Sequence, residues 1–467
     1  MNNYKKIAVN EIEKKEKLIY DVAEKIWDYA ELSLQEFKSC DLFCKVMAEE
    51  GFEVEKGICG IATAFSASFG SGRPVIGLLA EYDALSGITH DRPTAHGCGH
   101  NLLGSGAMAA AVGIKEYLTQ SGHSGTIILY GCPGEEGCAS KAFMARDGLW
   151  NRLDAALTWH PADCNEVVTG SSNSCIQVQY TFNGISSHAS AAPDKGRSAL
   201  DAVELMNIGV QFLREHMSSK ARVHYAITDA GGVSPNVVQS RAQVLYMVRS
   251  NHVKEALKLQ ERVDKIAEGA ALMTETTFER KFVDGMSDTV TNRALEEAAY
   301  RNFAELGVPS HTDEELKKAE ELALTYESRD KNPGIGSDFD AAYALSAAKQ
   351  RSENGTYMND FLLPHFMGDA FEPASTDVGD VSNNCPTLQI HVASWPNGCP
   401  GHSWQNVACA GSSLGYKAAV HAGKVLAATA LDLFEDDDLL RKCHDEFNLR
   451  TKDGYACPIP KDAVAKL

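Results

Sequence analysis

Three short apolar runs do most to limit what this chain can fold into. The segments "PVIGLLAEY" (74–82), "GTIILYGCP" (125–133) and "LDAALTWHP" (153–161) are each bounded by turn residues and apolar almost throughout. That is the pattern of strands buried on both faces. Helical stretches lie between them, so the segment predicts an α/β fold with a mostly parallel sheet and helices on both sides. Functional groups in such sheets collect at the carboxyl ends of the strands. The residues that follow each run are therefore where chemistry is expected.

From about residue 173 the pattern changes. "SCIQVQYTFNG" alternates as a half-exposed strand and "GRSALDAVELMNIGVQFLREH" is an amphipathic helix. The strands "ARVHYAITDAGG" and "SRAQVLYMVRS", the helix "NHVKEALKLQERVDKIAEGAAL" and the strand "TTFERKFVDG" follow. The order β-α-β-β-α-β is the ferredoxin-like split unit. It reads as a small domain, 173–286, inserted into a larger discontinuous one formed by 1–172 and 287–467. A chain of 467 residues is too long for one core, which fits this division. The segment 346–374 is irregular and polar and is expected to form long surface loops, part of a pocket wall. The first 27 residues are expected to form one charged amphipathic helix without the apolar core of a signal peptide.

A formal charge of −19 argues against nucleic acid and against an anionic membrane surface, both of which call for basic residues. No segment approaches the roughly 18 apolar residues of a membrane span. Thirteen cysteines, an odd count without an export signal, point to reduced thiols in the cytoplasm. Most of them, such as Cys40, Cys44 and Cys175, are expected to be small buried hydrophobes.

The chemistry gathers where the sheet predicts it. The first strand runs into Glu81 and Asp83, the second into Glu135 and Glu136, and the third into His160. "RPTAHGCGHNLLGSG" (92–106) supplies Cys98 and His100 in a glycine-rich turn directly before a helix-forming run, Ala107 to Leu118. A late loop, "CPGHSWQN", supplies His402. None of these signals is specific alone: a strand-end histidine is more often structural and adjacent glutamates are usually solvated surface. Their convergence suggests a binuclear metal site. One thiolate, one carboxylate, two divalent ions and a bridging hydroxide leave such a cluster near about +1, still Lewis acidic. The spare carboxylate, Glu135, is then free to move a proton from water to a leaving amine. A thiolate among imidazoles favours zinc or a manganese-like borderline metal over magnesium.

With these residues assembled, the chain resembles peptidase family M20, the co-catalytic metallopeptidases that include aminoacylases, carboxypeptidase G-type enzymes and auxin-conjugate amidohydrolases. The resemblance runs through "AEYDALSG", "HGCGHN", "PGEEG", "TWHP", "NGISSHASAAPDKGRSALDA", "GGVSPNVVQSRAQVLYMVRS", "STDVGDVS" and "PGHSWQ" in family order. It is strongest to the aminobenzoyl-glutamate hydrolase subgroup. It implies two metal ions held by Cys98, His100, Glu136, His160 and His402, with Glu135 as general base. It also implies that the inserted domain is a lid that pairs with its twin in a homodimer. Where the aminoacylase branch has a histidine two residues before the position of Asp83, this chain has Glu81. His100 then replaces that ligand, and Asp83 hydrogen-bonds a ligand histidine. On the lid, His188 matches the histidine brought to the carbonyl oxygen as an oxyanion donor. Asn236 and Arg249 match residues that hold the substrate's carboxylate.

The expected activity is hydrolysis of N-acyl or aminobenzoyl amino acids with a free carboxylate, aminobenzoyl-glutamate foremost. A broad dipeptidase or N-acyl amino-acid deacylase is the alternative enzyme. A thiol hydrolase using Cys98 with His96 or His100, and a non-catalytic partner subunit, are the competing classes. A second protein subunit in the assembly stays open.

Overall fold

The computed structural model describes residues 1–89, 91–327, 341–366 and 370–466. Its main sheet has seven strands in the order Glu53–Lys56, Phe65–Ser71, Gly125–Gly131, Val75–Ala80, Ala155–Ala162, Thr387–Ala393 and Glu166–Val167. The four from Gly125–Gly131 to Thr387–Ala393 run parallel. Antiparallel strands flank them on both sides. The three apolar runs of the sequence are thus the centre of the sheet. Ile76, Leu78, Ile127, Leu129, Ala155 and Leu157 are buried there, as strands covered on both faces require.

The helix that matters most for the site is His100–Ser121, which packs against Ser413–Glu435 and against the sheet. It starts seven residues earlier than the sequence suggests, so "HNLLGSG" is helix and not turn. Packing explains why glycines are tolerated in a helix interior, where they cost up to about 1 kcal/mol each. A Cβ at Gly106 would lie 2.5 Å from Trp159 Nε1. The close contact lets Trp159 Nε1 donate to Leu103 O at 2.9 Å, locking the helix start to the strand that carries His160.

A second sheet is wholly antiparallel, in the order Arg222–Asp229, Arg241–Ser250, Ser174–Asn183 and Thr277–Met286. Helices Ala199–Leu213 and Val253–Thr274 cover one face, with a core of their own that includes Val178, Val203, Val244 and Val263. The element order is the expected β-α-β-β-α-β.

Two expectations need correction. The N-terminal segment forms two helices, Asn3–Lys14 and Glu16–Tyr29, broken at Lys15. Their buried residues keep a seven-residue step from Ile12 to Ile19, so no sequence signal marks the break. Within the expected loop segment 346–374, the first part is helical, in Ala341–Asn354, and Phe371–Glu372 is a short strand paired with Ser171–Ser172. Residues 367–369 of that segment lie outside the described residues. No helix among the described residues is long and apolar enough to cross a membrane.

Candidate metal centre

Side chains from four strand-end segments and one loop converge at the carboxyl edge of the main sheet. Cys98 sits in the turn before helix His100–Ser121, where Gly99 adopts a φ of 79°. A Cβ at Gly99 would come within 3.1 Å of Pro161 and 3.2 Å of Trp395, so the turn can approach the sheet only as glycine. His100 opens the helix. Glu135 and Glu136 begin a one-turn helix after strand Gly125–Gly131. His160 lies near the end of Ala155–Ala162. His402 has a φ of 53°, in the left-handed region, just before helix Trp404–Ala410.

Three overlapping groups have donor atoms within 4.8 Å of one another: Cys98, His100 and His160; Cys98, Glu136 and His402; His100, Glu135 and Glu136. Cys98 Sγ lies 3.4 Å from His160 Nε2, and His402 Nε2 lies 3.5 Å from Glu136 Oε1. His160 Nδ1 is 2.8 Å from Pro161 O, which fixes the proton on Nδ1 and leaves Nε2 as a free lone pair. His100 Nδ1 is 2.7 Å from Asp83 Oδ1, so its Nε2 likewise faces the cluster. Asp83 Oδ2 in turn accepts from Glu136 N at 3.0 Å and Ser33 Oγ at 3.2 Å. This carboxylate therefore sets the ring of one candidate ligand and the backbone of another. All these groups border or adjoin a cavity of about 250 Å³, lined among others by Glu81, Cys98, Glu135, Glu136, His160, Ser375 and His402.

The donor set fits divalent cations. His100 Nε2 and Glu136 Oε1 are buried without a hydrogen-bond partner among the described residues, which is costly unless an ion takes them. Five carboxylates (Glu81, Asp83, Glu135, Glu136 and Asp377) share this region, where the Lys141 ammonium pairs with Glu81 and Asp377. Without further positive charge, burial and then the nearby Glu81, Asp377 and Glu136 carboxylates hold the Glu135 carboxyl well above its ordinary range. Burial pushes the Cys98 thiol up to about 12, and burial with the His100 charge pushes His160 down to about 4. Burial opposes protonation of His100, but Cys98 and Asp83 outweigh it and hold its pKa well above the imidazole range. Cations at the cluster would relieve this crowding and deprotonate the thiol.

Sequence reasoning missed Lys141 and Asp377 as parts of this region. Lys141 is fully buried, and its Nζ donates to Glu81 Oε1 at 2.7 Å and Asp377 Oδ1 at 2.5 Å. Glu81 Oε2 stands 3.3 Å from His100 Nε2. The pair thus anchors a carboxylate at the cavity wall. The signal available was "STDVGDVS", quoted for the resemblance but given no role residue by residue. Cys164, Glu166 and His391, a further buried donor group one strand over, also went unremarked.

The residues expected on the inserted domain lie elsewhere. His188 and Asn236 are exposed, and among the described residues none that lines the metal cavity comes from 173–286. They are neighbours on one lid edge, where Ala189 N donates to Asn236 O at 2.9 Å. His188 Nδ1 accepts from Ser190 N at 3.3 Å and Ala191 N at 3.2 Å, so its proton sits on Nε2. Arg249 is at the rim, donating from Nη1 to Ser375 Oγ at 2.7 Å.

The model of the peptidase dimerisation domain matches residues 172–275. One of the two p-aminobenzoyl-glutamate hydrolase subunits of Escherichia coli (strain K12) is 42% identical over 465 residues, covering 95% of this chain and 95% of that protein. The chain belongs to the M20 peptidase family. A more distant M20 relative, the human Xaa-Arg dipeptidase, is 27% identical over 391 residues, covering 82% of this chain and 74% of that protein. A solved dinuclear metal-binding M20 peptidase from Bacillus subtilis shares the fold with a TM-score of 0.54 at 16% identity, over 90% of this chain and 99% of that one. As an M20 member the chain is a metal-dependent hydrolase acting on amide bonds, in a family of dinuclear metal-binding peptidases.

Proposed function

We propose that the protein cleaves the amide bond of N-acyl or aminobenzoyl amino acids that carry a free carboxylate, with aminobenzoyl-glutamate as the leading substrate. One observation carries the reading: the donor atoms of Cys98, His100, Glu136, His160 and His402 converge at one cavity, with the Glu135 carboxylate beside them. Two divalent ions held by those five residues, zinc or manganese by donor softness, would supply Lewis acidity to the scissile carbonyl and to a water. Glu135 takes the water's proton and passes it to the leaving nitrogen. Asp83 holds the His100 ring through Nδ1. His188 donates its Nε2 proton to the carbonyl oxygen as charge develops there. Arg249 and Asn236 hold the substrate's carboxylate. The name of the Escherichia coli relative supports the aminobenzoyl-glutamate assignment, and the similarity to a dipeptidase keeps a broader dipeptide activity as the second reading.

His188 and Asn236 reach a metal cavity by pairing of two copies. The discontinuous unit 1–172 and 287–467 then acts as the catalytic domain and 173–286 as the lid. Arg222–Asp229 is one of the two edge strands of the lid sheet, and it exposes Tyr225 and Ile227, as helix Ala199–Leu213 exposes Ile208 and Phe212. Two such edges related by a two-fold axis must pair antiparallel. The partner's Asp229 end, with its Asn236 and His188 loops, then approaches the Arg222 end of this strand, directly across from Arg249. Since the Escherichia coli relative is itself one subunit of its enzyme, a second kind of chain could occupy the same edge. None of the thirteen cysteines is in a disulfide, which supports a reducing, cytoplasmic setting.

Arg249 gives the test. Converting the substrate's α-carboxylate to an amide should cost the wild type roughly 10- to 100-fold in kcat/KM, the worth of charge-assisted hydrogen bonds. Arg249→Ala should discriminate between acid and amide far less. An unchanged acid-to-amide ratio in the variant would remove Arg249 from the site.

A further inference from the structure

A protein of formal charge −19 must still admit an anionic substrate, and one surface is built to do so. Arg222 and Arg249 face each other directly across adjacent lid strands, and His224 faces Met247 on the same side. Val223 and Val248, on the opposite side, are buried against the lid helices. Lys220 precedes the strand with the same two-residue spacing. These four basic side chains line one cleft of about 920 Å³ with Asn173, Asn251 and residues 371–374. Like charges placed directly opposite in a sheet repel. Arg222 Nη1 donates to Ser219 O and Ala221 O, and Arg249 Nη1 to Ser375 Oγ. Among the described residues, Lys220, Arg222 and Arg249 form no ion pair. The single acidic wall residue, Glu372, accepts from Ala374 N through Oε1. Burial, and then the charges of Arg249, Arg214 and Arg222, lower the pKa of His224.

The cleft opens beside the metal cavity. Ala374 lines both, and Ser375, the partner of Arg249, lines the metal cavity. A substrate whose carbonyl lies at the metal donors and whose α-carboxylate meets Arg249 has its side chain directed along this basic wall. We propose that Arg222 and Lys220 form a second carboxylate subsite, which selects amides of dicarboxylic amino acids over monocarboxylic ones. An anion between Arg222 and Arg249 turns their repulsion into a shared attraction. The inference rests on the amidohydrolase site described above and adds to it a specificity for the side chain of the amino acid released.

Two measurements on the metal-loaded protein separate the subsite from the reaction. The first is calorimetric binding of glutarate, which carries two carboxylates at the spacing of glutamate, against glutaramate, in which one is a neutral amide. The wild type should bind glutarate about tenfold or more tighter, the worth of one charge-assisted contact pair. In the double variant Lys220→Ala/Arg222→Ala the ratio should fall to within about twofold, and Arg222→Glu should reverse it. Arg222→Lys should recover part of it. The second is the ratio of kcat/KM for aminobenzoyl-glutamate over aminobenzoyl-glutamine, expected to change in parallel. Glutarate selectivity without turnover of either amide would overturn the proposed reaction and leave the subsite standing. Equal binding of the two probes by the wild type would overturn the subsite, as would a double variant that keeps the full ratio. A double variant that keeps the ratio but shifts the dimer dissociation constant would assign the basic wall to a partner chain and overturn the subsite as well.

Discussion

Glu135→Gln is expected to keep about two metal ions per chain while kcat falls by roughly 10²–10⁴, the usual worth of general acid–base catalysis. The amide preserves size and hydrogen bonding but cannot accept a proton. Glu136→Gln should behave differently. Its Oε1 is buried, without a hydrogen-bond partner among the described residues, and 3.5 Å from His402 Nε2, as a metal-ligand oxygen would be. That variant should bind metal more weakly, and its activity should return in part at high metal concentration. Metal content by elemental analysis, paired with kcat at saturating metal, distinguishes the two. Identical behaviour of both variants would show that the adjacent glutamates do not divide the work.

A larger recovery of activity is expected from mixing two dead proteins. His188→Ala and Glu135→Ala should each be nearly inactive as homodimers. Among the described residues, none of 173–286 lines the metal cavity and His188 is exposed, so the proposed role of His188 requires the carbonyl site of a neighbouring copy. Unfolding and reassociating an equal mixture makes about half the dimers hybrid when subunits pair at random. In a hybrid, the His188→Ala chain retains its own Glu135 and receives an intact His188 from its partner, so one site of two is complete. Activity should return to about a quarter of wild type, half the dimers times half their sites. If His188 served its own chain, every hybrid site would lack one group. No recovery despite demonstrated hybrids would rule out exchange across the two-fold axis.

What could be read beforehand follows from how local each signal is. The central strands were legible because burial on both faces demands apolar runs such as "VIGLLA" and "TIILYG", a constraint any sequence window contains. The second sheet was legible because alternation in "CIQVQYTF" and "AQVLYMV" marks strands with one covered face. The start of helix His100–Ser121 was not, because the fit of Gly106 against Trp159 is tertiary and glycine alone reads as a breaker. The break at Lys15 was hidden for the opposite reason: the apolar period continues across it. Among the candidate site residues, Glu136 and His160 were legible because they follow apolar strands, and Cys98 and His100 because they sit in a glycine-rich turn before a helix. Lys141 did not. A lysine in "SKAFMARDG" looks like surface, and only the fold shows it buried between Glu81 and Asp377. The basic wall of Lys220, Arg222 and Arg249 was equally invisible, since Arg222 and Arg249 are 27 residues apart and meet only through strand pairing.

Metal dependence is the claim on which every other role depends, and one paired measurement tests it. Protein stripped with a chelator and protein reloaded with zinc or manganese should be assayed on aminobenzoyl-glutamate alongside elemental analysis of both. The loaded form should hold about two ions per chain and be active, the stripped form should be inactive, and activity should return as metal is added back. Cys98→Ala should lose metal and activity together. Full activity in a verified metal-free preparation would contradict metal-dependent hydrolysis and point instead to Cys98 acting as a nucleophile.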